Sequence, residues 1–350
     1  MVQSVSIDAG VLAAPPAAST RHAVYAYVET LLDWRCLLNE PWVAVYLSER
    51  TADLLVEEGL YPLRNALKAL FASNGVVEYD VNTVAQVAER LLMLTPSFET
   101  YFRIRDVLAD PLETDPDLLS LTVGQHMATD LGRCVVLLAI LRQHCRRAVQ
   151  NHSLILKNCP QSGRILVRAV IHVLDHERED LEGVPSAPEV FNGEVLTCGD
   201  FRGLLSSIDE AAAWRSASDA IGKEVAVRLA VYKSRLAREL HPEWDEVPCV
   251  RFGKNFVEIA DRACQANPDA LVPKVLRSII ETAEKLNFPA VHALRENQSG
   301  GAPQRERRSD GAKAFRRDID YEYHLHYWQC PDGIAELASM GPHNDFSIPE

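Results

Sequence analysis

The stretch YEYHLHYW places His324 and His326 two residues apart, and His343 follows shortly after in GPHNDF. Imidazoles titrate near neutrality, so paired histidines can take a proton from a hydroxyl and return one to a leaving oxygen, as cleavage of RNA requires. The same pair could hold a metal with Asp320 or Glu322, or could simply face solvent from a strand. Just upstream runs RERRSDGAKAFRR, with six basic and two acidic residues between Arg305 and Arg317. Such a cluster can grip phosphates. Arg305, Arg307, Arg308 and Lys313 read equally well as a solvated linker, whereas Arg316 and Arg317 lie where a strand begins.

These side chains need a scaffold. From Ala314 onward the sequence reads as one strand, a tight turn and a second strand. In CPDGI, Pro331 and Asp332 suit the centre of a type I turn and Gly333 the left-handed bulge position. Pairing Cys330 with Ile334 sets Tyr327 opposite Leu337 and Leu325 opposite Ser339. By the two-residue period, Ile319, Tyr321, Tyr323, Leu325 and Tyr327 share an apolar and aromatic face. Arg316, Asp318, Asp320, Glu322, His324, His326 and Trp328 share the other. Two helices, NFVEIADRACQ and PDALVPKVLRSIIETAEKL, precede this hairpin, broken at Asn267–Pro268, and VPCVRF and PAVHALRE are extended.

Upstream of a linker at HPEWDEVP the chain reads as helical. Residues 1–18 are expected to be a frayed leader. Ser19 or Thr20 caps a helix to about Asn39, Asp80 caps another, and Thr95–Pro96 looks like a further helix start. Asp115 to Lys157, with the apolar centre CVVLLAIL, and SGRILVRAVIHVLDHEREDLE also read as helices, followed by two more over Asp200–Ala220 and Lys223–Leu240. With 47% hydrophobic and 24% charged residues, the 350-residue chain has the composition of a folded globular protein of two domains. No run is long and apolar enough for a membrane span, and no leader of basic then apolar residues opens the chain, so reduced cysteines and a cytoplasmic setting are expected. The eight cysteines form no CxxC pair, which argues against a zinc ribbon. The net charge is −13. Residues 246–350 carry 13 Lys and Arg against 16 Asp and Glu, a net −3, leaving −10 upstream. An acidic chain is a poor general nucleic-acid binder, so any RNA role rests on a local basic patch.

From about Val247 to Ile348 the chain resembles the RelE/ParE family of toxin-antitoxin toxins. The resemblance rests on the helix pair, the phrase HALRE, the strand YEYHLHYW before PDGIAELASMG, and the closing HNDF. It implies a compact α+β domain with a curved antiparallel sheet. It implies either metal-independent cleavage of mRNA on the ribosome or binding to gyrase, and it implies an antitoxin partner. Carried over by position, Arg295 supplies the basic residue of the HALR phrase, Arg317 the basic strand, His324 the place where the family often has Arg, and His343 the place near the terminal His or Arg. The expected catalytic set is then His324, His343, Arg317 and His326. Arg295, Arg305, Arg307, Arg308, Lys313 and Arg316 are expected to contact RNA, and neither metal nor cofactor is implied. Phe346 stands where the family has a Tyr and cannot transfer a proton, and His324 replaces an Arg. These departures leave a non-catalytic interaction module on a toxin fold as the rival.

Two further patterns lie upstream. Arg147 and His152 in RAVQNH are similar in spacing to the HEPN ribonuclease signature, although chance matches to so short a pattern are common. His172 and His176 would share a helix face and could form half a metal site, or a satisfied surface pair. The expected fold class is therefore mainly α: an all-α regulatory or targeting domain over 1–245 and a small α+β domain with an antiparallel sheet over 246–350. The expected function is a toxin-like RNA endonuclease restrained by its acidic helical domain, able to oligomerise, with no membrane role.

Overall fold

A computed structural model describes residues 3–40, 42–145, 152–181, 188–248, 250–297 and 301–350. The chain is not mainly α. It is α/β, with 44% helix and 24% strand, and carries a six-stranded mixed sheet and a five-stranded sheet. Two compact units divide between Leu204 and Leu205, upstream of the boundary expected at 245.

The first unit contains strands β1 (Gln3–Ile7), β2 (Val43–Leu47), β3 (Ile104–Asp115), β4 (His152–Ile155), β5 (Arg164–His176) and β6 (Glu189–Cys198), in the order β2-β1-β4-β6-β5-β3. β2, β1, β4 and β6 run parallel, and β5 and β3 close one side antiparallel. Its helices are α1 (Ala9–Leu12), α2 (Arg21–Leu37), α3 (Thr51–Glu57), α4 (Arg64–Asn74), α5 (Val81–Leu94), α6 (Phe98–Phe102) and α7 (Gln125–His144).

Thr20 and Asp80 cap α2 and α5 as their sequences predict. Thr95 instead ends α5, and Ser97 caps α6. The expected leader contains the interior strand β1, flanked by β2 and β4, with all five residues buried. Its polar residues Gln3, Ser4 and Ser6 hide the strand signal. Ser4 and Ser6 hydroxyls lie 2.9 and 3.0 Å from the ring nitrogens of His152, and Gln3 donates to Ser153. The expected helix over 164–176 is strand β5. Ile165, Val167, Ala169 and Ile171 are buried, alternating with exposed Arg164, Leu166 and Arg168, a period of two in a β-branched run. CVVLLAIL is the buried centre of α7, packed on both sides by the main core.

The second unit holds α9 (Glu210–Ser216), α10 (Ala220–Ala237), α11 (Phe256–Cys264) and α12 (Pro268–Ala283); α8 (Phe201–Ser207) spans the division. Its sheet runs β7-β11-β10-β9-β8, from β7 (Arg251–Phe252), β8 (Val291–Ala293), β9 (Lys313–Asp318), β10 (Tyr323–Gln329) and β11 (Ala335–Pro342). β8 to β11 are antiparallel neighbours, and β7 adds parallel to β11. The single long strand expected from Ala314 to Trp328 is two strands. Asp320 accepts from the Glu322 and Tyr323 amides and pairs with Lys274 of α12 at 2.9 Å, turning the chain between β9 and β10. Asn267 caps α12, which Pro268 opens. Among the described residues no helix is long and apolar enough to cross a membrane.

Candidate functional site

The face of the second sheet turned away from α12 gathers most of the ionisable groups. Antiparallel register sets His324 opposite Asp318 and His326 opposite Arg316. β11 places Gly341 across from His324 and Ser339 across from His326. A bulge after His326 puts Met340, not Ser339, opposite Leu325, while Tyr327 still faces Leu337. Beyond β11, His343 is held by its amide donating to the Glu322 carbonyl at 2.9 Å. Its exposed ring lies over the buried ring of His324, 4.4 Å between centroids. A Cβ on Gly341 would come within 2.9 Å of Asp345, so this glycine leaves room for the fold-back.

His324 Nε2 lies 2.8 Å from Asp318 Oδ1 without hydrogen-bond alignment, and His324 Nδ1 is buried with no partner. His292 Nε2 stands 3.6 Å from the other Asp318 oxygen. Burial, reinforced by the Arg316 charge, holds the His324 pKa down to about 4, so the ring is neutral at pH 7. Burial also lowers the pKa of His326. Its Nδ1 lies 3.0 Å from the Ser347 carbonyl, which can only accept. The proton therefore sits on Nδ1, and Nε2 is a buried acceptor with no donor. The guanidinium of Arg316 lies under the Phe346 ring at 5.2 Å, its Nε buried without a partner.

Arg317 does not join this group. It projects from the opposite face, 1% exposed, pairs with Glu281 at 2.8 Å and donates to the Leu286 carbonyl at the end of α12. Alternation along β9 places adjacent arginines on opposite faces, and only Arg316 falls with the histidines. Arg307 is buried in an ion-pair cluster with Asp310 and Glu336, over the Trp328 ring. Arg295 and Arg305 spend donors on backbone carbonyls of the loop that carries them. Arg308 and Lys313 are exposed. The loop expected to be free is thus bonded to the sheet from Arg305 to Ala314.

In the first unit, Arg147 lies outside the described residues. His152 is on a strand, buried between Ser4 and Ser6, with its pKa pushed down to about 3 by burial. His172 and His176 lie on β5, not on a helix, and His172 meets the Asp110 carbonyl at 2.7 Å.

Sequence reading missed a second polar cluster, at the carboxyl ends of the parallel strands. In open α/β sheets ligands bind at such ends, where the strand order reverses. Asp8 follows β1 and accepts from the Gly10 amide and the Thr122 hydroxyl, yet burial raises its pKa to about 6. Nearby, Arg133 of α7 bridges Glu99 at 2.6 Å and Asp130 at 2.9 Å, and Ser48 donates to both acids. The signal available was a carboxylate directly after a short strand, in VSIDAG, obscured by the serines that alternate with Val5 and Ile7. Among the described residues no group of three or more His, Cys, Asp or Glu is arranged to hold a metal. No protein-family model, curated protein or solved structure matches the chain.

Proposed function

We propose that the chain is a toxin-like effector whose second unit cleaves RNA without a metal, on mRNA and in the cytoplasm. The observation that carries this reading is the convergence of Arg316, His324 and His343 on one sheet face, with Asp318 behind His324. His343, the exposed imidazole, takes the proton of a ribose 2′-hydroxyl. The freed oxygen attacks phosphorus, and the guanidinium of Arg316 offsets the negative charge on the phosphorane oxygens. The P–O5′ bond breaks, the protonated imidazole returns its proton to the leaving oxygen, and a 2′,3′-cyclic phosphate and a 5′-hydroxyl result. His324, neutral and fixed near Asp318, keeps a second cation from forming beneath His343. A ribosome is the expected setting and an antitoxin the expected partner. The net −10 upstream of residue 246 suits a restraining role, since acidic surface competes with RNA for basic groups.

The test is cleavage of labelled mRNA by the full chain, with and without ribosomes. His343→Ala should reduce the rate roughly 10²–10⁴-fold, the usual weight of a general acid–base group. Cleavage untouched by His343→Ala overturns the reading.

A second reading has its own support. His324 and His326 are both 0% exposed, so neither imidazole meets a ribose hydroxyl on the closed face, which favours binding without reaction. RNA bound by the wild type and left intact, with binding weakened by Arg316→Gln, would favour that non-catalytic module.

A further inference from the structure

The segment from Asn344 to Pro349 folds back across the histidine face and fills it. Phe346 and Ile348 pack on the small cluster of Leu294, Ala314, Trp328 and Ala338. Two side-chain donors of β10 serve its backbone: His326 Nδ1 meets the Ser347 carbonyl at 3.0 Å, and Trp328 Nε1 donates to the Pro349 carbonyl at 2.7 Å. On the same face His324 Nδ1, His326 Nε2 and Arg316 Nε are buried without hydrogen-bond partners, and the segment, which touches His326 and Arg316, supplies none to these atoms. A buried polar atom without a partner loses its hydration and gains nothing in return, so the segment is a poor polar match to its surroundings. Its apolar match is good.

We infer that residues 344–349 act as an internal ligand in a groove built for two unpaired nucleotides of RNA, and that RNA displaces them. The inference rests on the RNA reading above and adds the subsite and its cover. The Arg316 guanidinium carbon stands 5.2 Å from the Phe346 ring centroid, a cation–π pairing that the ring of an unstacked base can also make. The second base takes the Ile348 place, beside the apolar edge of Trp328. The donors released from the Ser347 and Pro349 carbonyls then face the acceptor oxygens of base or phosphate, and a water-lined phosphate backbone supplies partners for the bare imidazole and guanidinium nitrogens. An extended peptide could use the same donors, but it would leave the positive charge of Arg316 unanswered.

The test uses the full chain carrying Phe346→Ala and Ile348→Ala together. Carbethoxylation of His326, read by mass spectrometry, reports whether the groove has opened. Anisotropy of a fluorescent eight-nucleotide single-stranded RNA at fixed salt reports binding. Opening should raise His326 reactivity and tighten RNA binding at least tenfold, and adding Arg316→Gln should reverse the gain. His326 that stays protected, or that becomes reactive while RNA affinity is unchanged or lower, overturns the inference. So does tightened binding of a peptide of sequence HNDFSIPE without any gain for RNA. An independent check needs no variant: saturating RNA should speed amide hydrogen exchange over 344–349 in the wild type, and unchanged or slower exchange contradicts the proposal. Tightened binding without cleavage would remove the nuclease reading and leave the groove standing.

Discussion

Asp8 accepts two hydrogen bonds and still keeps its proton up to about pH 6, because burial outweighs both. Its folded pKa stands above the unfolded value of 3.8, so the ionised form costs stability above pH 6, and the cost fades as pH falls toward 3.8. Asp8→Asn, which can still accept from Gly10 and Thr122, should stabilise the first unit by up to about 3 kcal/mol at pH 7.5 and by little at pH 4. Chemical denaturation of both proteins at the two pH values checks this. His152 runs the other way. Its folded pKa near 3 lies below the usual 6.5, so the unfolded chain binds the proton first and stability falls as pH drops through that window. The slope is at most about 1.4 kcal/mol per pH unit, and His152→Gln should flatten it in the same titration. Arg317 shows the two-residue period of the sequence prevailing over the family resemblance, which places it in the catalytic set. Its neighbour Arg316 is chemically identical, and only the parity of β9 assigns one to the histidine face and the other to Glu281. Arg317→Met should lower the stability of the second unit by roughly 3 kcal/mol, as breaking a buried ion pair does, seen as a reduced melting temperature. Loss of RNA cleavage with an unchanged melting temperature would contradict that structural role.

At the scale of elements, the helices declared themselves through local signals. Thr20, Asp80 and Asn267 each cap where a polar residue precedes an apolar stripe, and the Asn267–Pro268 break separates α11 from α12. The CPDGI turn was equally legible: Gly333 has φ +84, and its amide closes on the Cys330 carbonyl at 2.9 Å. Gly333→Ala should destabilise the second unit by about 1 kcal/mol through that left-handed backbone, a shift small but resolvable by thermal unfolding. The strands of the first unit were hidden for physical reasons. β1 buries Gln3, Ser4 and Ser6 against partners some 150 positions away, which no local window contains. β5 is rich in residues that satisfy helical and strand periods alike, and its pairing with β3 and β6 decides between them. The turn at Asp320 depends on Lys274 and on two backbone amides, so a polar alternating stretch that reads as one strand becomes two.

At the scale of the molecule, each unit carries its own sheet and its own buried core. Two unfolding transitions are therefore expected, with Asp8 and His152 variants shifting one and Arg317 and Gly333 variants shifting the other. Counted by unit, the charge asymmetry remains: residues 1–204 carry 17 Lys and Arg against 26 Asp and Glu, a net −9, and residues 205–350 carry 19 against 23, a net −4; the more acidic unit is α/β with a polar cluster of its own at Asp8, Asp130 and Arg133, not all-α. The proposed cleavage takes place on the face that joins Arg316, His324 and His343. Its most direct test is the chemical identity of the RNA ends left by the full chain, read by mass spectrometry of a labelled mRNA for wild type and His343→Ala. Wild type should leave 2′,3′-cyclic phosphate and 5′-hydroxyl ends, and His343→Ala at least about a hundredfold less of both. Ends carrying a 5′-phosphate, or the same yield from both proteins, would contradict it.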